Sequence, residues 1–241
     1  MGRATLLSVV IPVFNERATV LEVLARALAV EIPIEREIVI VDDGSTDGTS
    51  ELLDDSEHPS LSDPRVRVLH HLENRGKGAA VRTGIADARG DAILIQDADL
   101  EYDPEDWARL LRPLLSGRAV AVYGSRFTGE RRNMLPSHWV GNRILSLTTN
   151  ILYRSTVSDM ETCYKLLHRS VLDGVPLVSN GFEIEAELTA KILRQGIRIY
   201  EVPISYAGRE LWEGKKITWR DGFTAVLTLL RYASWRKRGT T

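Results

Sequence analysis

The sequence predicts an α/β fold, a mixed, mostly parallel sheet with helices on both faces. Three observations point to it. Short, continuous apolar runs of strand length recur along the chain, helix-length segments separate them, and acidic residues collect where the runs end. Strands that are apolar throughout, rather than alternating, belong to a sheet covered on both faces.

The elements follow in order. Residues 6–11 (Leu-Leu-Ser-Val-Val-Ile) are the first strand, and residues 17–30 the first helix, with Val20, Val23, Leu24, Ala27 and Leu28 on one face. A second strand at 37–41 leads to a helix beginning near Thr46, and a third at 66–69 leads to a helix at 76–88. The fourth strand, 92–95, is followed by a helix at 104–115 and a fifth strand at 119–123. Beyond it the pattern loosens: a polar loop over 124–136, helices at 137–152 and 181–194, a strand at 197–202, and a last helix at 219–235. No internal repeat or low-complexity linker divides the chain, so residues 1–241 are read as one domain. Its first half, about 1–124, has a nucleotide-binding layout, and its second, about 125–241, completes the site.

Composition narrows the class. Of 241 residues, 44% are hydrophobic and 27% charged, enough for a full core. The 31 Lys and Arg nearly balance the 33 Asp and Glu, which argues against a nucleic-acid binder. A single cysteine, Cys163, excludes an internal disulfide. No apolar run approaches the roughly 18 residues of a membrane span, and the opening residues lack the layout of a signal peptide. The expectation is a cytoplasmic enzyme.

Ligands of an open parallel sheet bind at the carboxyl ends of its strands, and three such ends are acidic here. They read Pro12-Val13-Phe14-Asn15-Glu16, Asp42-Asp43-Gly44-Ser45-Thr46-Asp47-Gly48 and Gln96-Asp97-Ala98-Asp99-Leu100-Glu101. Ser45 or Asp47 is explained by helix capping, and Asp103, Glu105 and Asp106 by a helix start around Pro104. Asp97 and Asp99 are different. Two carboxylates two residues apart, just past a strand, suit a hard divalent ion that takes one or two carboxylates plus substrate phosphates. From Asp97 to Asp106 there are six acids and no base.

These strand ends, with Asn74-Arg75-Gly76-Lys77-Gly78 and Gly124-Ser125-Arg126, occur in an order and spacing that resembles family-2 glycosyltransferases of the glycosyltransferase-A fold. Within them the chain is most similar to the dolichol-phosphate mannose and glucose synthase group. The resemblance covers nearly the whole chain and implies a sugar-nucleotide donor, GDP-mannose or UDP-glucose, with Mg²⁺ or Mn²⁺ as cofactor. It implies that Pro12, Phe14, Asn15, Glu16 and Asp43 hold the nucleoside, that Lys77 offsets donor phosphate charge, and that Asp97 and Asp99 bind the metal. Glu101 stands where the family often has Gln and is kept as a third metal ligand. Arg126, with Arg143 and Ser146 on the following helix, would hold the phosphate of a polyprenyl phosphate acceptor. Arg209, Lys215 and Lys216 match positions that close over the diphosphate. The catalytic assignments are Asp99, Arg126 and Arg209.

The layout has a chemical reason. A phosphate monoester has its second pKa near ~6 and is already an oxyanion at neutral pH. It needs cations to position it rather than a base. A hydroxyl acceptor would instead require a carboxylate, and Asp159, Glu161, Glu183 and Glu185 are the candidates; pairing with Lys or Arg is the competing reading for Glu185 and Glu187. A nucleotidyltransferase would carry a Gly-rich triphosphate loop after the first strand, which is absent. A non-catalytic nucleotide-binding module would not need Asp97 and Asp99.

From Arg209 onward eight basic residues face three acidic ones. In the last helix Phe223, Val226, Leu227 and Leu230 form a stripe, and Trp235 meets Arg236-Lys237-Arg238. Such a helix either lies on an anionic membrane, as a peripheral contact at its cytoplasmic face, or packs on the core with a solvated tail.

Overall fold

The computed structural model describes residues 4–130, 136–209 and 219–237. Strand β1 (Leu6–Val13) is the centre of a parallel block. On one side it pairs with β2 (Glu35–Asp42), which pairs with β3 (Val66–His70). On the other it pairs with β4 (Ala92–Ile95), so Val10 faces Val39 and Ile95 at once. Flanked on both edges, β1 keeps Leu7 to Ile11 out of water, which is why it is apolar without alternation.

Helix α1 (Val20–Ala29) buries Val20, Val23, Leu24 and Ala27, the face the periodicity marks, and α2 (Thr49–Leu53) is a short turn after β2. Helix α3 (Lys77–Asp87) is rich in Gly and Ala because it lies very close to the sheet. A Cβ on Gly84 would come within 2.4 Å of Val10 Cγ1. Helix α4 (Trp107–Leu115) follows β4 through a 3₁₀ turn at Pro104–Asp106, whose first amide is capped by Asp103.

The second half departs from a simple parallel order. The sheet runs β3-β2-β1-β4-β6-β5-β7. Strand β6 (Lys165–His168) is inserted antiparallel between β4 and β5 (Ala121–Ser125), and β7 (Tyr200–Pro203) pairs parallel with β5 at the edge. The insertion brings the chain before β6 to the carboxyl end of β4, beside the acidic strand ends.

Three helices complete the fold: α5 (Pro136–Tyr153), α6 (Ile184–Arg194) and α7 (Trp219–Tyr232), with α7 against both α5 and α6. Helix α7 buries Ala225, Thr228, Leu229 and Tyr232, while Phe223, Leu227 and Leu230 stay at least half exposed. Val226 turns toward the core, and Trp235 is partly buried against it, with Lys191 Nζ 5.6 Å from its ring. The last helix therefore packs on the core and also presents an outer apolar stripe. Among the described residues, no helix is long and apolar enough to cross a membrane.

Candidate active site

The carboxyl ends of β1, β2 and β4 open into a cavity of about 650 Å³, closed from the far side by α5, the start of α6, the segment after β7 and the start of α7. Pro12, Phe14 and Glu16 line it from β1, Asp43 from β2, Lys77 from α3, and Asp97, Asp99 and Glu101 from β4. Arg126 enters after β5, Glu161 before β6, Glu185 from α6, and Tyr206 and Arg209 after β7.

The donor-side loops are locked to one another. Asn15 adopts a left-handed backbone with φ 52°. Its amide donates to Ser45 Oγ (2.9 Å), and its Oδ1 accepts from the Thr46 amide (2.7 Å). Asn15 is not among the residues lining the cavity; it ties the β1 and β2 loops together. Asp43 does line the cavity, but its carboxylate already accepts from the amides of Arg75 (3.0 Å) and Gly76 (2.7 Å) and lies 2.6 Å from His71 Nδ1. It anchors the 74–78 loop. There Gly76 sits at φ 94°, with Asn180 O only 2.4 Å from where a Cβ would be, so no side chain fits.

Charge is dense and mostly paired. Lys77 Nζ lies 2.7 Å from Asp97 and 3.1 Å from Glu185, which pairs with the wholly buried Lys165 at 2.5 Å. Burial opposes the Lys77 charge, but Asp97 and Glu185 outweigh it and hold its pKa well above the usual lysine value. Burial likewise opposes ionisation of Asp97, and Lys77 overrides it, lowering the pKa. Asp99 is the opposite case: burial, then the charges of Asp97 and Glu101, push it up to about 7 despite Arg209. Arg209 reaches Glu16 with both terminal nitrogens (3.1 and 3.0 Å) and Asp99 with Nη2 (3.1 Å).

Glu101 lines the same cavity and is already engaged. Its carboxylate accepts from Tyr206 Oη (2.8 Å) and the Arg209 amide (2.7 Å). Among the described residues no three Asp, Glu, His or Cys side chains are grouped to hold an ion; as it stands, the Glu101 carboxylate braces the Arg209 segment. Asp97 and Asp99 still fit a divalent cation. They offer hard oxygen donors two residues apart in a cavity, and the raised Asp99 carboxyl marks negative charge that Lys77 and Arg209 leave uncompensated.

On the acceptor side, Arg126 is buried and clasped by Asp159 (Nε 2.8 Å, Nη2 2.7 Å), with Tyr206 under its guanidinium at 5.2 Å. Burial opposes its charge and Asp159 more than restores it, raising its pKa. Its Nη1 takes no hydrogen bond among the described residues. Two companions expected beside it are not at the cavity. Arg143 is exposed over the Phe127 ring at 5.4 Å, and Ser146 is buried, its Oγ accepting from the Met160 amide at 3.1 Å. The helix turns them aside and lines the cavity with His138, Gly141, Asn142 and Leu145 instead. Lys215, with Lys216, lies outside the described residues.

Sequence reasoning missed the two buried lysine pairs, Lys165–Glu185 and Lys191–Glu187, as pairs, although pairing was the competing reading for both glutamates. It also missed Tyr206, Phe182 and Trp219 in the lining; only proximity in the folded chain marks them.

Residues 8–175 match the family described as Glycosyl transferase family 2. The chain is 33% identical to the polyprenol monophosphomannose synthase of Mycolicibacterium smegmatis, over 96% of this chain and 87% of that one. It is 33% identical to the undecaprenyl-phosphate mannosyltransferase of Micrococcus luteus, over 86% and 85%. Of several other curated relatives it spans little more than half, 54 to 58%. The fold is that of glucosyl-3-phosphoglycerate synthase from Mycobacterium tuberculosis, with TM-score 0.72 at 20% identity over 98% of this chain and 82% of that one. Structures of that enzyme hold UDP with Mn²⁺ or Mg²⁺. The chain belongs to glycosyl transferase family 2 and is a hexosyltransferase.

Proposed function

We propose that the protein moves a hexose, mannose or glucose, from a GDP- or UDP-sugar to a polyprenyl phosphate, with inversion at the anomeric carbon. One observation carries the reading: Asp97 and Asp99 on one wall of a single cavity face a buried arginine, Arg126, with an open Nη1 on another. The names of the two relatives at 33% identity, a polyprenol and an undecaprenyl-phosphate mannose-transferring enzyme, support the acceptor.

Asp97 and Asp99 would hold Mg²⁺ or Mn²⁺, which supplies charge stabilisation for the departing nucleoside diphosphate. Lys77, already charged beside Asp97, adds a cation on the donor side. Arg126 holds the acceptor phosphate, oriented by Asp159 and Tyr206 so that no side-chain search precedes reaction. A phosphate oxygen forms the new bond to the anomeric carbon as the bond to the donor diphosphate breaks, and configuration inverts. The nucleophile carries no proton at neutral pH, so the step leaves none to remove. Arg209 sits over the metal-binding carboxylates, positioned to follow the charge onto the leaving diphosphate.

A lipid acceptor also fits the outer surface. Ile144, Leu147 and Ile151 on α5 and Phe223, Leu227 and Leu230 on α7 are each at least half exposed, on two helices that pack together beside the cavity mouth. With Arg220, Arg231, Arg236 and Lys237 nearby in sequence, this face suits peripheral contact with an anionic bilayer. The test compares a short polyprenyl phosphate with the same polyprenol lacking phosphate, under labelled GDP-mannose or UDP-glucose. Transfer to the phosphate alone supports the reading, and equal transfer to both removes the role given to Arg126.

A further inference from the structure

The segment before β6 is accounted for almost atom by atom. Asp159 clasps Arg126, the Met160 amide donates to Ser146, and the Met160 and Thr162 carbonyls accept from Lys165 Nζ. The Cys163 amide donates to Tyr102 Oη at 3.0 Å. Thr162 Oγ1 is buried without a partner but does not line the cavity; Glu161 stands out from this lattice for a different reason. It lines the cavity, yet its Oε1 is buried with no hydrogen-bond partner among the described residues. A buried carboxyl oxygen without a hydrogen-bond partner is costly to leave unmatched.

Its position says what the missing partner is. The charged groups whose fields act on Glu161 are Lys165, Glu185, Arg126 and Asp159. Lys165 and Glu185 adjoin Lys77 and Asp97, the donor end of the cavity, whereas Arg126 and Asp159 form the acceptor end. Glu161 thus sits between the two ends, where the transferred group must lie during reaction. A group there that donates hydrogen bonds without carrying charge is a sugar hydroxyl.

We propose that Glu161 is a specificity-determining residue whose carboxyl accepts a hydrogen bond from one hydroxyl of the transferred hexose. The assignment rests on the sugar-nucleotide donor of the proposed function and adds which side chain reads the sugar. Lys77 is held by Asp97 and Glu185, and the terminal nitrogens of Arg209 by Glu16 and Asp99. A site that pairs a buried polar atom with a substrate hydroxyl rejects analogues lacking it far better than an apolar pocket does.

The experiment measures binding of GDP, UDP, GDP-mannose, UDP-glucose and the monodeoxy sugars of the tighter donor, with Mn²⁺, to the wild type, Glu161→Gln and Glu161→Ala. In the wild type, one monodeoxy donor is expected to bind about tenfold or more weakly than its parent. In Glu161→Ala that ratio falls to near one, while the bare nucleoside diphosphate binds as before. Glu161→Gln, which keeps size and an acceptor oxygen, retains part of the discrimination and guards against a folding defect. Ratios unchanged in Glu161→Ala at every hydroxyl overturn the proposal, as does a wild type that binds sugar nucleotides no better than the bare diphosphate. Because binding is read without an acceptor, a protein that discriminates sugars through Glu161 but does not glycosylate polyprenyl phosphate refutes the acceptor alone.

Discussion

Arg209 reaches Asp99 from 110 residues further along the chain, its Nη2 lying 3.1 Å from the carboxylate. The same guanidinium grips Glu16 at the end of β1 with both terminal nitrogens. One cation thus joins the ends of β1 and β4, and its own amide is held by Glu101. Burial opposes its charge, but Glu16 and Asp99 outweigh it and raise its pKa, so it is charged throughout the working range.

Arg209→Ala is therefore expected to lower kcat for hexose transfer by roughly 10²–10³, with a smaller effect on donor KM. Arg209→Lys recovers only part, because an ammonium cannot span Glu16 and Asp99 as a planar fork does. Steady-state kinetics with labelled donor check this, and an unchanged kcat removes Arg209 from the reaction.

Asp97→Asn combined with Asp99→Asn is expected to abolish transfer while leaving the far-ultraviolet circular dichroism unchanged. In the wild type, Mn²⁺ tightens binding of UDP or GDP; in the double variant that tightening disappears. Calorimetric titration with and without the metal reads it. Wild-type activity in excess chelator would contradict the role of the pair.

Glu161 also predicts a pH dependence of stability. Burial, then Glu185 and Asp159, raise its pKa to about 7 against the opposing Lys165 and Arg126. The folded protein therefore holds this proton more tightly than the unfolded chain. That contribution is full at low pH, below the unfolded glutamate's range, and is lost as pH rises through about 7. Glu161→Gln carries no such titration. Relative to the wild type, it is expected to gain on the order of 2 kcal/mol between pH 5 and pH 8. Urea denaturation at the two pH values measures it, and a constant difference contradicts the environment described for Glu161.

How much of this was legible beforehand follows from where the determining contacts lie. The parallel block was readable because Val9, Val10, Val39, Ile40 and Leu94 are buried on both faces and so are apolar without interruption. Asp97 and Asp99 were readable because their reach depends only on local spacing past a strand. Strand β6 was not, since four residues headed by a lysine do not look like a central strand. Lys165 is tolerated there because Glu185, 20 residues away, pairs with it and the Met160 and Thr162 carbonyls accept its remaining protons. What Ser146 and Arg143 touch was not readable for a related reason. Helical spacing gives a shared face but not what that face meets, and the Met160 amide and Phe127 ring meet these two. The last helix shows two apolar stripes, and sequence alone does not say which one packs.

Leu227→Glu combined with Ile151→Glu is expected to change the unfolding free energy by no more than about 0.5 kcal/mol, since both side chains are at least half exposed. The pair should nonetheless reduce sedimentation with anionic vesicles at low salt several-fold. Wild-type protein that fails to sediment with such vesicles contradicts membrane contact through this face.

The account stands most directly on the product. The protein would be incubated with Mn²⁺, GDP-mannose and UDP-glucose in separate reactions, and a short polyprenyl phosphate, and the lipid fraction weighed by mass spectrometry. The predicted result is one new species, heavier than the lipid phosphate by a single hexose residue and absent in the Asp97→Asn, Asp99→Asn variant. An unmodified lipid, in reactions where the same protein glycosylates a hydroxyl acceptor, would contradict it.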